Sequence, residues 1–199
     1  MRVLVGCEFS GRVRSAFRAL GHDAWSCDLL PAEDGDTHHV QGDVLAIANS
    51  GWDLAIFHPP CTYLANSGVR WLYGGRGTTV DPDRWAKMLD AAAFFRACLD
   101  ADIPRIAVEN PIMHRYGKEA IGTLGLDVQT VQPYLFGTPE TKATQLYLKG
   151  LPHLVPTDIV SGRTPRVHFA SPGPDRWKER SRTDPNIAIA MAAQWGGDA

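Results

Sequence analysis

The sequence lacks long apolar runs and has no CxxC or zinc-like cysteine spacing. None of its apolar stretches approaches the ~20 residues that a membrane-spanning helix needs. The 4 cysteines, Cys7, Cys27, Cys61 and Cys98, are scattered, which favours free thiols in a reducing compartment and no bound metal. Met1 runs directly into a strand-like segment, which predicts no signal peptide. Together these features predict a cytoplasmic protein.

An excess of positive charge is absent as well. The net charge is −2 over 199 residues, so any attraction to nucleic acid has to come from a local patch. The hydrophobic share of 44% and the charged share of 21% are those of a globular protein. A chain of this length is one ordinary domain. We therefore expect a single catalytic or binding domain over residues 1–199.

Strand and helix patterns alternate along most of the chain. Short apolar runs predict strands at 2–6, 24–26, 54–57, 106–108, 128–131 and 145–148, with another ending near Val40. Cap residues predict helices from Ser10-Gly11 to Leu20, from Asp81-Pro82 to Leu99 and from Asp184-Pro185 to Trp195. Helical spacing predicts core positions at Trp85, Met88, Leu89, Ala92, Phe95, Leu99, Ile187, Met191 and Trp195. The expected fold is α/β, with a mostly parallel sheet, helices on both faces and an antiparallel hairpin at one edge.

Two of the predicted strands end in residues that carry chemistry. Cys61 follows a diproline turn after the strand 54–57, and Glu109 and Asn110 follow the strand 106–108. Open α/β folds bind their ligands at the carboxyl ends of the strands. Taken alone, Cys61 would be a buried, inert thiol and Glu109 a surface carboxylate, but their matched positions favour a shared site.

A thiolate beside a carboxylic acid suits nucleophilic addition to a pyrimidine. The thiolate would attack C6, the acid would interact with N3, and C5 would then attack a one-carbon donor. His58 precedes Cys61 by three residues, so it would either lower the thiol pKa or serve as a simple hydrogen-bonding residue. Cys7, Cys27 and Cys98 have no obvious acid partner and are expected to be inert.

The sequence resembles the C5-cytosine DNA methyltransferase family. The resemblance covers most of the chain in the family's order: Cys7-Glu8-Phe9-Ser10-Gly11 at the cofactor loop, Pro59-Pro60-Cys61 with Asn66-Ser67-Gly68 at the nucleophile loop, Val108-Glu109-Asn110-Pro111 at the Glu-Asn-Val motif, residues 136–144 at the Gly-x-Pro-Gln-x-Arg-x-Arg strand, and residues 186–195 at the closing helix. The resemblance implies a Rossmann-like methyltransferase fold. It also implies methyl transfer to C5 of cytosine in DNA, with S-adenosylmethionine as cofactor.

The resemblance also implies roles for individual residues. Cys61 would add to C6, Glu109 would contact N3, Asn110 would hold the strand end and Lys142 would offset charge at O2. The remaining implied residues would hold the cofactor: Glu8, Phe9, Ser10 and Gly11 near its methionine end, Cys7 in place of the aromatic that stacks on adenine, Asp28 and Asp43 at its ribose and adenine, and Pro59 in the nucleophile loop.

Several departures from the family pattern keep alternatives open. Phe9 stands where a glycine would let the backbone approach a ligand, and Glu8 adds negative charge near the expected donor carboxylate. Lys142 lacks the bidentate fork of an arginine. One alternative is a folate-dependent cytosine hydroxymethyltransferase that uses methylenetetrahydrofolate. Another is a relative without catalytic activity that binds nucleic acid.

Two segments are candidates for contact with nucleic acid. The proline-rich arm at 152–183 interleaves basic and aromatic residues, which suits a single strand or a flipped base: Arg163, Arg166, His168, Phe169, Arg176, Trp177, Lys178, Arg180 and Arg182. The glycine-rich stretch 63–76 could close over an extruded base. The arm is much shorter than the family's target-recognition domain, as in compact phage-encoded members. A protein partner could therefore supply the sequence specificity. If the protein is phage-encoded, its location would be the host cytoplasm.

Overall fold

A computed structural model describes residues 1–74, 77–165, 173 and 176–197. Its strands are β1 (Arg2–Gly6), β2 (Asp23–Asp28), β3 (His39–Gln41), β4 (Leu54–Phe57), β5 (Arg105–Pro111), β6 (Asp127–Val131) and β7 (Thr144–Lys149). Its α-helices are α1 (Arg12–Ala19), α2 (Pro82–Leu99), α3 (Arg115–Ile121), α4 (Arg176–Ser181) and α5 (Pro185–Trp195). Short 3-10 helices cover Val44–Ala46, Asn66–Tyr73 and Pro133–Leu135.

Within the described residues the strands form one seven-stranded sheet in the order β3-β2-β1-β4-β5-β7-β6. The pairs from β3 through β5 are parallel. Strand β7 runs antiparallel to both β5 and β6, so β6 and β7 form a hairpin and β6 is the outer strand. The predicted α/β fold with its antiparallel edge hairpin is confirmed.

Both faces of the sheet are buried under helices. The near-continuous apolar strands supply one set of side chains to each face, as buried parallel strands do. On one face Val3, Val5, Leu54 and Ile56 pack with Phe17 of α1 and with Met191 and Trp195 of α5. On the other face Leu4, Ala55, Phe57 and Val108 pack with Met88 and Phe95 of α2. The helices thus hold the central strands rigidly and leave their carboxyl ends free to carry a site.

The cap residues of α2 and α5 are those expected from the sequence. Asp81 accepts a hydrogen bond from the backbone N–H of Arg84 at 3.0 Å, and Asp184 accepts one from Asn186 at 3.0 Å. Each helix then begins with proline, whose missing N–H costs nothing there. No helix among the described residues has both the length and the apolar character needed to cross a membrane.

The structure differs from the sequence-based predictions at four places. Leu89 is 46% exposed rather than part of the core, because it lies on the outer side of α2. Helices α3 and α4 were not predicted. The N-terminus of α1 receives no side-chain cap from Gly11; instead the carboxylate of Glu8 accepts hydrogen bonds from the backbone N–H groups of Val13 at 2.7 Å and Arg14 at 3.2 Å.

Candidate functional site

The candidate site lies along the edge where the parallel strands β3, β2, β1, β4 and β5 all end. Strand β1 pairs with β2 on one side and with β4 on the other. The chain order of the sheet reverses at this point, which is where open α/β sheets form a crevice for ligands. The loop after β1 therefore lies next to the residues that follow β4.

Cys61 is placed just beyond β4 by a stiff turn. Pro59 is buried, Pro60 is exposed and Cys61 itself is half-buried. The carbonyl of Cys61 accepts hydrogen bonds from the backbone N–H groups of Leu64 at 3.1 Å and Ala65 at 2.9 Å. These bonds fix the backbone that carries the thiol.

The electrostatic surroundings raise the pKa of Cys61. Burial is the main cause and the negative charge of Glu109 adds to it, whereas Arg180 and Lys142 act in the opposite direction. The thiol and the Glu109 carboxylate are thus close enough to influence each other's charge. The thiolate form of Cys61 is therefore favoured when the charge of Glu109 is neutralised, or when the positive charges of Arg180 and Lys142 offset it.

His58 pairs with Glu109 across the sheet. Phe57 of β4 lies opposite Val108 of β5, so the next residue along each strand, His58 and Glu109, also lie side by side. The His58 Nδ1–H donates to Glu109 Oε2 at 2.6 Å, and the two side chains are only 8% and 12% exposed. Of the two roles considered for His58, hydrogen bonding is the one observed, and its partner is the acid rather than the thiol.

The pair is held in its ionised form. Burial alone would lower the pKa of His58, but the hydrogen bond and charge of Glu109, together with the charge of Glu8, raise it overall. Burial alone would raise the pKa of Glu109, but His58 outweighs it, with help from Lys142 and Thr183, and lowers it overall. The short distance agrees with a charge-assisted hydrogen bond.

Asn110 and Lys142 flank this pair. Asn110 is fully buried; its Nδ2 donates to the carbonyl of Pro111 at 2.6 Å, and its Oδ1 has no hydrogen-bond partner among the described residues. Lys142 lies in the loop between β6 and β7 and its Nζ donates to the carbonyl of Arg182 at 2.9 Å. The ammonium group of Lys142 thus contributes positive charge near Glu109 and is held by its hydrogen bond to Arg182, just before α5.

The segment Arg182–Asp184, here called the strap, crosses the site in front of α5. Arg12 of α1 donates from Nη1 to the carbonyl of Thr183 at 2.8 Å, and Arg182 forms an ion pair with Glu33. A cavity of about 10 Å³ lies under the strap beside Glu109, which is room for about one water molecule. The strap therefore closes the side of Glu109 that faces α5.

The predicted cofactor loop is ordered by contacts of its own. Cys7 has a left-handed backbone (φ 57°), and burial raises the pKa of its thiol. Both carboxylate oxygens of Glu8 are used by α1, and the Ser10 hydroxyl lies 3.5 Å from one of them. Phe9 is 8% exposed and its ring centroid lies 5.9 Å from that of Trp177. Gly11 has φ 69°, and a Cβ there would lie 2.4 Å from Arg14 Nη2.

The predicted ribose and adenine residues lie further along the same edge. Asp28 ends β2 and accepts a hydrogen bond from the backbone N–H of Leu30 at 2.9 Å. Asp43 caps the first 3-10 helix by accepting one from Leu45 at 2.9 Å. Each of these bonds uses Oδ1. In the described part of the chain, neither Oδ2 has a hydrogen-bond partner.

A buried arginine holds the loop that follows Asp28. Arg14 is 0% exposed; its Nη1 donates to the hydroxyl of Ser26 at 2.8 Å and its Nη2 forms an ion pair with Asp34. Asp36 lies 3.6 Å from the same nitrogen. The guanidinium thus joins α1, β2 and the loop after β2.

The candidate nucleic-acid segments are described only in part. Arg166, His168 and Phe169 of the arm, and Gly75 and Arg76 of the second segment, lie outside the described residues. In the described arm, Trp177 is 51% exposed, and Lys178 lies 5.7 Å from its ring centroid. In the second segment, the 3-10 helix Asn66–Tyr73 stacks Arg70 on Trp71 at 4.7 Å.

Three features of the site escaped the sequence-based reasoning. These are the pairing of His58 with Glu109, the strap at Thr183 and the buried Arg14. Only the pairing of His58 with Glu109 had a signal in the sequence. A histidine follows one predicted strand and a glutamate follows the next, so the register between the two strands would have been enough to predict that they pair. The strap depends on contacts between residues that are far apart in sequence, such as Arg12 and Thr183.

Comparison with solved structures finds methyltransferases of the same fold. A protein described as a DNA modification methyltransferase encoded within a prophage of E. coli has a TM-score of 0.50 and 16% identity, and the match covers 86% of this chain and 55% of that one. A methyltransferase from Entamoeba histolytica has a TM-score of 0.53 and 16% identity, and the match covers 80% of this chain and 57% of that one. This chain thus spans little more than half the length of either.

No family model matches the sequence, and no curated protein matches it. The structural similarity nevertheless extends over 80% to 86% of the chain, and the strand order places the candidate residues at the ligand-binding edge of such a sheet. The chain therefore has a compact methyltransferase-type α/β fold, and the resemblance to DNA methyltransferases expected from the motifs is confirmed at the level of fold.

Proposed function

We propose that this protein transfers a methyl group to C5 of cytosine in DNA through a covalent adduct between Cys61 and C6 of the base. The observation that carries the proposal is that a half-buried thiol just beyond β4 and a largely buried carboxylate on the adjacent parallel strand β5 lie at the same edge of the sheet and interact electrostatically. Such a pair can act on one face and one edge of a single pyrimidine. The fold shared with methyltransferases supports the same reaction class.

In this reaction the Cys61 thiolate forms the bond to C6 while N3 of the ring takes up a proton by way of Glu109. C5 thereby becomes nucleophilic and receives the methyl group. The C5 proton then passes to water, the electron pair of the C5–H bond forms the C5–C6 double bond, and the C6–S bond breaks, which restores the aromatic ring and frees the thiolate. Lys142 would offset negative charge at O2, and the buried Asn110 would keep the end of β5 in place for Glu109.

S-adenosylmethionine would supply the methyl group as an electrophile. The residues fit this cofactor better than the sequence alone implies, because both oxygens of Glu8 already accept hydrogen bonds from α1 and that charge is partly compensated. Asp28 and Asp43 each keep one carboxylate oxygen free of hydrogen bonds within the described residues, as a ribose or adenine contact requires. Phe9, Ser10, Gly11, the backbone of Cys7 and the nearby Pro59 would surround the methionine end.

DNA is the proposed substrate because the described part of the arm carries basic and aromatic side chains. The positive charge of Arg180 reaches the thiol, and the exposed Trp177 on the same helix offers a ring for stacking on a base. With a net charge of −2, this local patch has to provide the attraction to phosphate. A flipped or single-stranded cytosine would reach the thiol without a large recognition domain.

The test is release of tritium from DNA labelled at C5 of cytosine, with S-adenosylmethionine or methylenetetrahydrofolate as donor. We expect release with S-adenosylmethionine only, and none from the Cys61→Ser variant, which binds the same DNA. Release with methylenetetrahydrofolate only would show that the folate, and not S-adenosylmethionine, is the one-carbon donor. Absence of release with either donor, on single- and double-stranded DNA alike, would overturn the proposed function.

A further inference from the structure

The contact between His58 and Glu109 leaves one histidine nitrogen unused. Nδ1 is taken by Glu109 at 2.6 Å, while Nε2 is buried and has no hydrogen-bond partner among the described residues. Buried polar atoms normally find partners, so an orphaned ring nitrogen beside a candidate acid calls for a reason. A residue whose task is only to anchor the acid would not need an ionisable ring.

Charged groups face this pair from several elements. Glu8 approaches from the loop after β1 and Lys142 from the loop between β6 and β7, and both alter the charge balance of His58. Thr183 of the strap hydrogen-bonds Glu109, and the charge of the same carboxylate acts on the Cys61 thiol. Because Glu8 also caps α1, the loop after β1 is electrostatically joined to the acid through the imidazole.

We propose that His58 is a positioning residue that stores the proton which Glu109 delivers to N3 of the bound pyrimidine. This inference rests on the proposed function and assigns the source of the proton within the same site. His58 touches neither the base nor the donor in this scheme and acts only through Glu109. Its second role is to hold one carboxylate oxygen so that the other faces the base.

The proton balance of the step is simple. As the sulfur of Cys61 bonds to C6, the C5–C6 π pair moves into the C4–C5 bond and the C4–N3 π pair moves onto N3. The imidazolium Nδ1–H bond breaks and an O–H bond forms on Glu109; after the carboxyl group turns about its Cγ–Cδ bond, that O–H bond breaks and N3–H forms. When C6–S cleaves, the proton on N3 returns by the same route and His58 is again an imidazolium.

The matched variants are His58→Asn and His58→Ala. The asparagine amide nitrogen lies near the position of Nδ1 and can donate to Glu109, but it does not ionise, whereas alanine removes both properties. We expect His58→Asn to release tritium at least about tenfold more slowly than the wild type, within the range of lost acid–base catalysis. We also expect its rate to lose the decline that the wild type shows as pH rises through the raised pKa of His58. A wild-type rate and pH profile in His58→Asn would show that the hydrogen bond alone suffices and would overturn the inference.

A second measurement does not depend on activity. In protein labelled with ¹⁵N-histidine, the ring signals absent from His58→Asn identify His58, and their pH titration gives its pKa directly. We expect a pKa above 6.5 that falls in the Glu109→Gln variant; a ring that stays neutral down to pH 6, or that ignores Glu109→Gln, contradicts proton storage. Absence of tritium release from the wild type would count against the proposed function, whereas the titration would still decide whether His58 holds the proton.

Discussion

At the scale of single residues, the thiol of Cys61 is governed by the same carboxylate that would engage the base. The negative charge of Glu109 raises the pKa of Cys61, in addition to the effect of burial. A pyrimidine bound against Glu109 would cover this charge and so weaken its repulsion of the thiolate. The nucleophile is therefore coupled electrostatically to occupation of the base site.

This coupling predicts the behaviour of the Glu109→Gln variant. Removing the charge should lower the pKa of Cys61 and increase its alkylation by iodoacetamide at pH 7.5 by roughly three- to tenfold, since one pKa unit is a tenfold change in thiolate fraction. Mass spectrometry of the peptide that contains Cys61 measures the rate. The fully buried Cys27 and Cys98 serve as internal controls, and an equal rate in the two proteins would show that Glu109 does not control the thiol.

At the scale of secondary-structure elements, Arg14 connects α1 to the loop after β2. The guanidinium is completely buried, whereas the side chain of its partner Asp34 is 38% exposed. Loss of one partner from a buried ion pair is costly mainly because the remaining charge is left buried without compensation. Removal of Asp34 and removal of Arg14 are therefore expected to lower the free energy of unfolding by different amounts.

Asp34→Ala should destabilise the fold more than Arg14→Met does. The first change leaves a buried guanidinium with the Ser26 hydroxyl and, at 3.6 Å, the Asp36 carboxylate, and we expect a loss of about 3 kcal/mol in the free energy of unfolding. The second leaves a carboxylate that water can solvate, so the loss should be smaller by at least about 1 kcal/mol. Urea unfolding of both variants measures the difference, and the reverse order would refute this account of the loop.

The elements differ in how well the sequence predicts them, for reasons visible in their residues. Helix α2 has an aspartate cap followed by proline, and its beginning at Pro82 was predicted from these signals. Helix α3 is capped by His114, whose ring Nδ1 accepts the N–H of Gly117, and neither residue is typical of such a position. Gly117 is needed because a Cβ there would lie 3.2 Å from Leu64 and Met113, and this contact is tertiary.

The same distinction applies to the site. The strand ends that carry Cys61 and Glu109 follow from local apolar runs and their flanking prolines, so both residues were assigned to one edge of the sheet. The pairing of His58 with Glu109 depends on the register between β4 and β5, which neither strand specifies by itself. Likewise, the capping of α1 by Glu8 depends on how the loop after β1 turns, with Cys7 at φ 57°.

At the scale of the whole molecule, the buried His58–Glu109 pair links folding stability to pH. Glu109 has a pKa below its ordinary value of 4.5, so its contribution is present above pH 4.5 and is lost as pH falls through the lowered value. His58 has a pKa above its ordinary value of 6.5, so its contribution is complete below pH 6.5 and is lost as pH rises through the raised value. Both contributions are complete between these two values.

The wild type and His58→Asn should therefore differ most in stability near pH 5.5. We expect a difference of about 2 kcal/mol in the free energy of unfolding there, as for a hydrogen bond to a charged group, and a smaller one at pH 3 and pH 9. Chemical unfolding of both proteins across this range provides the measurement. A difference that does not vary with pH would mean that the pair is not ionised in the folded state.

The position of β7 between β5 and β6 constrains how the protein can assemble during synthesis. Strand β6 leaves the ribosome before β7, yet among the residues that the structure describes it is joined to the rest of the sheet only through β7. Until residue 149 has emerged, β5 exposes an unpaired backbone edge, and such edges are templates for association with other chains. The nascent chain thus depends on β7 to cover the edge of β5, the strand that carries Glu109. A chain whose synthesis stalls before β7 has emerged would be prone to aggregate.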